Sequence, residues 1–288
     1  MNKQQFQGRV LVVAGSDPSG GAGIQADIKT ITAFEAYAAT AITALTVQNS
    51  RGVQAVYPVD AGVVAAQIKA VLDDIGAETV KTGMLVSAET VHAVAMALIE
   101  CGFEGDLIVD PVMVSTSGAA LLDPDGIKAL TQTLIPRATL VTPNIPEAEI
   151  LSGTTIASVD DMVTAGLAIC RMGAQMVLVK GGHLNGNRLT DILVGQGFDH
   201  EIRIERDKID SRHTHGTGCT LASAWAAALS FGSDGYNALQ AASDFIDQAI
   251  LRAPGFGAGK GPLGHMAARK AMEEQGMWTD FTNAGGQA

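Results

Sequence analysis

Short apolar runs that stop at turn residues recur along the chain and fix the kind of sheet it can build. Val10-Leu11-Val12-Val13-Ala14, Leu107-Ile108-Val109, Thr139-Leu140-Val141 and Met176-Val177-Leu178-Val179 show no apolar–polar alternation. A strand with one wet face alternates, so these runs predict strands buried on both faces, as in a parallel sheet covered by helices. The segments between them supply the helices. Residues 61–72 place Val64, Ile68, Val71 and Leu72 at helical spacing, and 88–99 do the same with Val91, Val94, Ala95 and Leu98. Alternating strands and helices imply a three-layer α/β/α fold around a mostly parallel central sheet. Two regions depart from the rhythm and predict extra edge strands. Residues 40–47 and 52–59 are rich in β-branched side chains around Asn49-Ser50-Arg51-Gly52, and 201–209 alternate Ile202 and Ile204 with charges.

One α/β domain can hold a chain of 288 residues. With 47% hydrophobic but only 5% aromatic residues, the core must come from Ala, Val, Ile and Leu. The chain therefore predicts a flexible N-terminus over 1–8, one domain over 9–271 and a loose tail over 272–288, ending in Asn283-Ala284-Gly285-Gly286-Gln287-Ala288. A net charge of −11 with no long Lys or Arg run excludes a nucleic-acid binder. The apolar run at 10–14 is too short for a signal-peptide core or a membrane span. Cys101, Cys170 and Cys219 are odd in number and far apart, which argues against disulfides or a zinc site and suits the reducing cytoplasm. Cys101 and Cys170 fall within helical patterns and read as core.

In open α/β sheets ligands bind beyond the carboxyl ends of the strands, and here polar motifs follow the apolar runs directly. The loop Gly15-Ser16-Asp17-Pro18-Ser19-Gly20-Gly21-Ala22-Gly23-Ile24-Gln25-Ala26-Asp27 is no Walker loop, because Gly21 stands where lysine is required. It is a poor dinucleotide fingerprint too, since six residues separate Ala14 from Gly21. A structural glycine loop opening a helix explains it equally well. Asp110, after 107–109, either caps the next helix or faces magnesium and phosphate. Asn144 suits a helix N-cap with Pro146 in the first turn, which leaves Glu147 unexplained. Lys180 ends a buried strand, a costly place unless it meets an anion.

His215-Gly216-Thr217-Gly218-Cys219-Thr220 opens an apolar helical stretch. Free backbone N–H groups at a glycine-built helix start form an anion site, and the same field lowers the pKa of a thiol there. Burial as a small hydrophobe is the plainer reading of Cys219, but its place in a glycine turn near His213 and His215 weighs against that. An anion site, a lysine, a carboxylate pair and a substrate loop together are what phosphoryl transfer needs.

These motifs, with Thr43-Ala44-Leu45-Thr46-Val47-Gln48-Asn49, Lys81-Thr82-Gly83-Met84-Leu85, Asp110-Pro111-Val112-Met113, Thr142-Pro143-Asn144-Ile145-Pro146-Glu147-Ala148 and Lys180-Gly181-Gly182-His183, follow a recognisable order. Over residues 9–266 the chain resembles the hydroxymethylpyrimidine/phosphomethylpyrimidine kinases of the ribokinase-like superfamily. The resemblance implies a ribokinase-like α/β/α fold and ATP-dependent phosphorylation of 4-amino-5-hydroxymethyl-2-methylpyrimidine, then of its monophosphate, in thiamine biosynthesis. It places Gln48 at the pyrimidine edge and Gly15, Asp27 and Met84 in the rest of that pocket. Gly216, Thr217 and Gly218 become the anion hole. Lys180, Asn144 and Thr217 face ATP, Asp110 and Glu147 organise magnesium with Asn144, and Cys219 faces the substrate hydroxyl as proton acceptor or positioner. A primary amide suits the pyrimidine edge because it offers both a donor and an acceptor. The family also suggests a homodimer through the edge strands around 47–57.

Two departures stand out. Gly257-Ala258-Gly259-Lys260-Gly261-Pro262 lacks the histidine of a Gly-His-Gly common in the family, and the expected lid Ser115-Thr116-Ser117-Gly118 lacks the cysteine of the related pyridoxal kinases. The second favours a pyrimidine substrate. The competing readings are a pyridoxal or pyridoxine kinase, a transferase with Cys219 as nucleophile beside His213 or His215, and a nucleotide sensor without turnover.

Overall fold

The computed structural model describes residues 8–114, 118, 120–182 and 188–281. His183, residues 1–7 and 282–288, and all of the expected lid but Gly118 lie outside the described residues. The first apolar run forms β1 (Arg9–Ser16). Its absence of alternation has the expected cause: Val10, Val12 and Ala14 enter one core, while Leu11 and Val13 enter another on the opposite face of the sheet. Parallel neighbours flank it, β2 (Tyr37–Asn49) on one side and β4 (Thr79–Thr82) on the other. With β3 (Gly52–Pro58), β5 (Asp106–Val109), β6 (Leu140–Val141), β7 (Met176–Val179), β8 (Arg188–Gly195) and β9 (Ile202–Asp207), the described residues form one nine-stranded sheet of order β3-β2-β1-β4-β5-β6-β7-β8-β9. Strands β2 through β7 in that spatial order run parallel, and β3, β8 and β9 add antiparallel edges.

Helices α2 (Ala61–Asp74), α3 (Ala88–Glu100), α4 (Pro124–Thr133), α5 (Ile145–Ser152) and α6 (Val159–Cys170) cover one face. Helices α1 (Gly23–Ala33), α7 (Thr217–Ser230), α8 (Gly235–Leu251) and α9 (His265–Glu274) cover the other. Side chains of Asp60, Ser87, Asp123, Ser158 and Asp234 accept first-turn N–H groups and set where five of these helices begin. Helix α7 differs. No side chain caps it, and it is buried nearly all round by α1, α8 and the sheet, so its sequence is apolar without a stripe. Its Trp225 is fully buried, and truncation to Ala there costs about 3–5 kcal/mol.

Two expectations are corrected. The tail expected to be loose from 272 is packed as far as 281: Met272 and Phe281 are buried, and the ring centroids of Trp278 and Phe281 lie 5.0 and 5.9 Å from that of Phe34. The Arg269 guanidinium sits 3.9 Å over the Trp278 ring. Two aromatic side chains supply enough apolar area to hold a segment that composition alone marks as tail. Cys170 is buried as expected, but Cys101 is the half-buried C-cap of α3 rather than a core residue. Among the described residues no helix is long and apolar enough to cross a membrane.

Candidate active site

A cleft of about 620 Å³ opens at the carboxyl ends of the parallel strands, where the polar motifs converge. One wall is the start of α7. Its N-cap, Gly216, has φ 85°, and a Cβ there would lie 1.9 Å from the carbonyl oxygen of Gly21. Only glycine meets both conditions, and the contact joins the first loop to the helix start. A Cβ on Gly218 would stand 3.3 Å from Lys180 Nζ and 3.9 Å from Asp110 Oδ2, so the missing side chain lets lysine and carboxylate approach the helix end. Lys180 Nζ and Thr142 Oγ1 each donate to Asp110 Oδ1 at 3.1 Å. Burial pulls the Lys180 ammonium down, but Asp110 and Glu147 outweigh it and hold it above its ordinary value.

Asn144 and Glu147 open α5 as a reciprocal capping box. Asn144 Oδ1 accepts from the Glu147 N–H at 3.0 Å, and Glu147 Oε2 accepts from the Asn144 N–H at 2.8 Å. The cap therefore accounts for Glu147 as well as Asn144, contrary to expectation, while both still line the cleft. Burial pushes the Glu147 carboxyl up to about 7, with Asp110 adding to the shift and Lys180 opposing it. Among the described residues no three His, Cys, Asp or Glu side chains cluster as a metal cage. Magnesium needs none, since one or two carboxylates and the substrate phosphates suffice, and the hard oxygens of Asp110 and Glu147 fit that role.

The opposite part of the cleft is built on Gly15, Met84 and Gln48. Met84 closes over the first loop so tightly that a Cβ on Gly15 would meet its Cε at 2.6 Å. A register shift between Val47 and Gln48 in the β2–β3 pairing lies at Gln48, and such irregularities re-aim side chains. The Gln48 amide nitrogen lies 3.1 Å from His215 Nε2, which lies 2.9 Å from Asp17 Oδ2. An ionised carboxylate can only accept, so Nε2 gives its hydrogen to Asp17, while Gln48 Oε1 accepts from Thr46 Oγ1 at 3.2 Å. Burial raises the Asp17 carboxyl, but His215 and Ser19 hold it below the ordinary range. Asp17 also accepts from the N–H groups of Ser19 and Ala22, which shapes the loop. Neither Asp17 nor His215 was expected on this wall; the Asp17-Pro18-Ser19-Gly20 turn signal was the available clue.

Two site expectations are overturned. Asp27 does not reach the cleft: it is fully buried between α1, α7 and β4, where Lys81 Nζ donates to its two oxygens at 3.0 and 3.1 Å and Ser223 Oγ at 2.7 Å. Cys219 does line the cleft, partly buried, but its thiol is not acidified. Desolvation, reinforced by Asp27 and Asp110, pushes it up to about 12 against the opposing Lys81 ammonium and Gly23 N–H. Loss of solvation and two nearby carboxylates outweigh the helix field. A protonated thiol whose neighbour His215 is held by Asp17 is no activated nucleophile.

A cleft at the strand ends, with a helix-start anion site and a lysine facing carboxylates, defines a small-molecule kinase on an α/β/α sandwich. Residues 17–264 match the phosphomethylpyrimidine kinase family, and the chain belongs to that family. The hydroxymethylpyrimidine/phosphomethylpyrimidine kinase of Bacillus subtilis is 43% identical over 265 residues, covering 91% of this chain and 96% of that protein. Its Rhizobium meliloti counterpart is 46% identical over 260 residues, 88% of this chain and 96% of the other. Among solved structures, an ADP complex of Bacillus subtilis pyridoxal kinase superposes with TM-score 0.83 at 35% identity, covering 92% of this chain and all of that one (100%). The phosphomethylpyrimidine kinase of Clostridium difficile gives TM-score 0.74 at 41% identity over 85% of this chain and 100% of its own.

Proposed function

We propose that the chain transfers the γ-phosphoryl group of ATP to 4-amino-5-hydroxymethyl-2-methylpyrimidine, and then to its monophosphate, in thiamine biosynthesis. One observation carries this reading: the Gln48 amide shares a cleft with the α7 start, Lys180 and Cys219. The amide pairs with the pyrimidine amino group and an adjacent ring nitrogen, while Gly15 and Met84 pack the ring. The N–H groups at the α7 start, with Lys180, hold the charge of the transferred group, and Asn144 and Thr217 orient the nucleotide phosphates. Magnesium on Asp110 and Glu147 neutralises phosphate charge when bound. The Cys219 thiol, protonated at neutral pH, seats the substrate hydroxyl for in-line attack. In a loose transition state the hydroxyl proton leaves late, when the phosphoryl oxygens beside it can receive it.

The test is an ADP-release assay with the pyrimidine alcohol, its monophosphate and pyridoxal. Both pyrimidines should turn over with higher kcat/KM than pyridoxal, and activity should stop on chelation of magnesium. Preference for pyridoxal, whose kinases share the fold at TM-score 0.83, would overturn the substrate assignment. A homodimer belongs to the same reading: Leu45, Val47 and Tyr57 are exposed on the β2–β3 edge, and mass measurement in solution checks it.

A further inference from the structure

Lys81 and Asp27 form an ion pair with no exposure on either side chain, directly beneath the site yet outside the cleft. Replacing such a pair with apolar residues of equal volume is often neutral or stabilising, so stability alone does not account for it. Its surroundings give a different reason. Gly23 and Asp27 stand one turn apart on α1, and Cys219 and Ser223 stand one turn apart on α7, so each pair shares a helix face. The helices pack together and meet at two levels. At the upper level Gly23 and Cys219 both line the cleft. At the lower level Ser223 Oγ donates to Asp27 Oδ1 at 2.7 Å. From the sheet, Lys81 on β4 donates to both oxygens of Asp27, and Gly83 makes room for it, since a Cβ there would lie 3.2 Å from Lys81 Nζ.

We infer that Lys81, Asp27 and Ser223 are positioning residues for Cys219, a buried seat that orients the sulfur and sets the charge it feels. The inference deepens the proposed function and rests on Cys219 facing the substrate hydroxyl. Four charged groups act on the sulfur electrostatically: Lys81 from β4, Asp27 from α1, Asp110 beyond β5 and Lys180 beyond β7. Two cations and two carboxylates oppose one another, so desolvation keeps the thiol neutral and able to hydrogen-bond an alcohol. The Lys81 ammonium acts on Cys219 more strongly than the Asp27 carboxylate does. Removing one member of the pair therefore tips the sulfur in a direction fixed by sign. With Asp27→Asn, a buried ammonium loses its counterion and the sulfur becomes the group that supplies the negative charge.

The test is iodoacetamide alkylation of the full chain across a pH series, with Cys219 followed by peptide mass mapping and Cys101 as internal reference. Asp27→Asn should raise the Cys219 rate at mildly alkaline pH by roughly tenfold or more, one pKa unit of charge interaction. The neutral pair Asp27→Asn/Lys81→Gln, which keeps volume without charge, should lower the rate below wild type. It should also reduce kcat with the KM for ATP unchanged. A folded Asp27→Asn protein with the wild-type alkylation profile would overturn the inference. Should that variant not fold, the neutral pair decides: a profile superimposable on wild type overturns the inference equally. The alkylation arm uses neither ATP nor pyrimidine, so its failure is distinct from a wild-type protein that releases no ADP, which would sink the kinase reading.

Discussion

Acidification should unlatch α9 from the base of α7 through one histidine. His265 is 3% exposed at the first position of α9, and its Nε2 meets Thr220 Oγ1 at 3.0 Å. Burial, with Lys29 adding to it, lowers its pKa from 6.5 to about 4, against an opposing hydrogen bond to Leu263. The imidazole is thus folded in its neutral form, with Nε2 accepting from Thr220. Unfolded, it takes up a proton already near 6.5, so between there and about 4 the unfolded chain binds more protons. The stabilisation is complete above about 6.5 and is lost as the pH falls through that window. At about 1.36 kcal/mol per unit the whole loss is about 3 kcal/mol, of which about 2 kcal/mol is gone by pH 5. The assay is urea unfolding at neutral pH and near pH 5 for wild type and His265→Gln. The variant starts from its own stability but lacks the titration. Wild type should therefore lose about 2 kcal/mol more than the variant on acidification. Equal losses in the two proteins would refute the reasoning, as would an imidazole resonance from His265 that titrates near its ordinary value.

Three further perturbations follow from the cleft. Cys219→Ala should lower kcat about 10²-fold, the scale of a misplaced reacting group, while ATP binding by calorimetry survives; unchanged turnover would remove the thiol from the mechanism. Lys180→Ala should raise the KM for ATP and lower kcat with every acceptor, because it unbalances Asp110 and Glu147 as well as the phosphates; a rise confined to the pyrimidine KM would misplace it. Gly216→Ala should destabilise the protein by about 2 kcal/mol in urea unfolding and weaken ATP binding, since its positive φ and the Gly21 carbonyl leave no room for a methyl group; wild-type stability would contradict the geometry.

Much of the fold was legible because it is written in burial. Val10-Leu11-Val12-Val13-Ala14 shows a doubly covered strand in its composition, and the paired edge at β2–β3 shows in its β-branched residues. β4 was not legible, because Thr79-Val80-Lys81-Thr82 offers one apolar side chain in four fully buried positions. Lys81 could have been found by the argument that singled out Lys180, a lysine at the end of a strand, had the strand been visible. The resemblance assigned Asp27 to the pocket, but helix phase turns it away from the cleft toward α7 and β4. The Cys219 expectation failed on magnitude: the sequence exposes the helix start and its field, whereas desolvation and the carboxylates of Asp27 and Asp110 exist only once distant segments have met.

The contact between Gly21 and Gly216 has a kinetic consequence. It joins segments far apart in the chain, and closing so long a loop is slow relative to forming local structure. Helical signal and burial on the α2–α6 face can recover before that junction closes. During refolding, nucleotide binding should therefore return after the far-ultraviolet circular dichroism, which makes the anion site a reporter of completed folding.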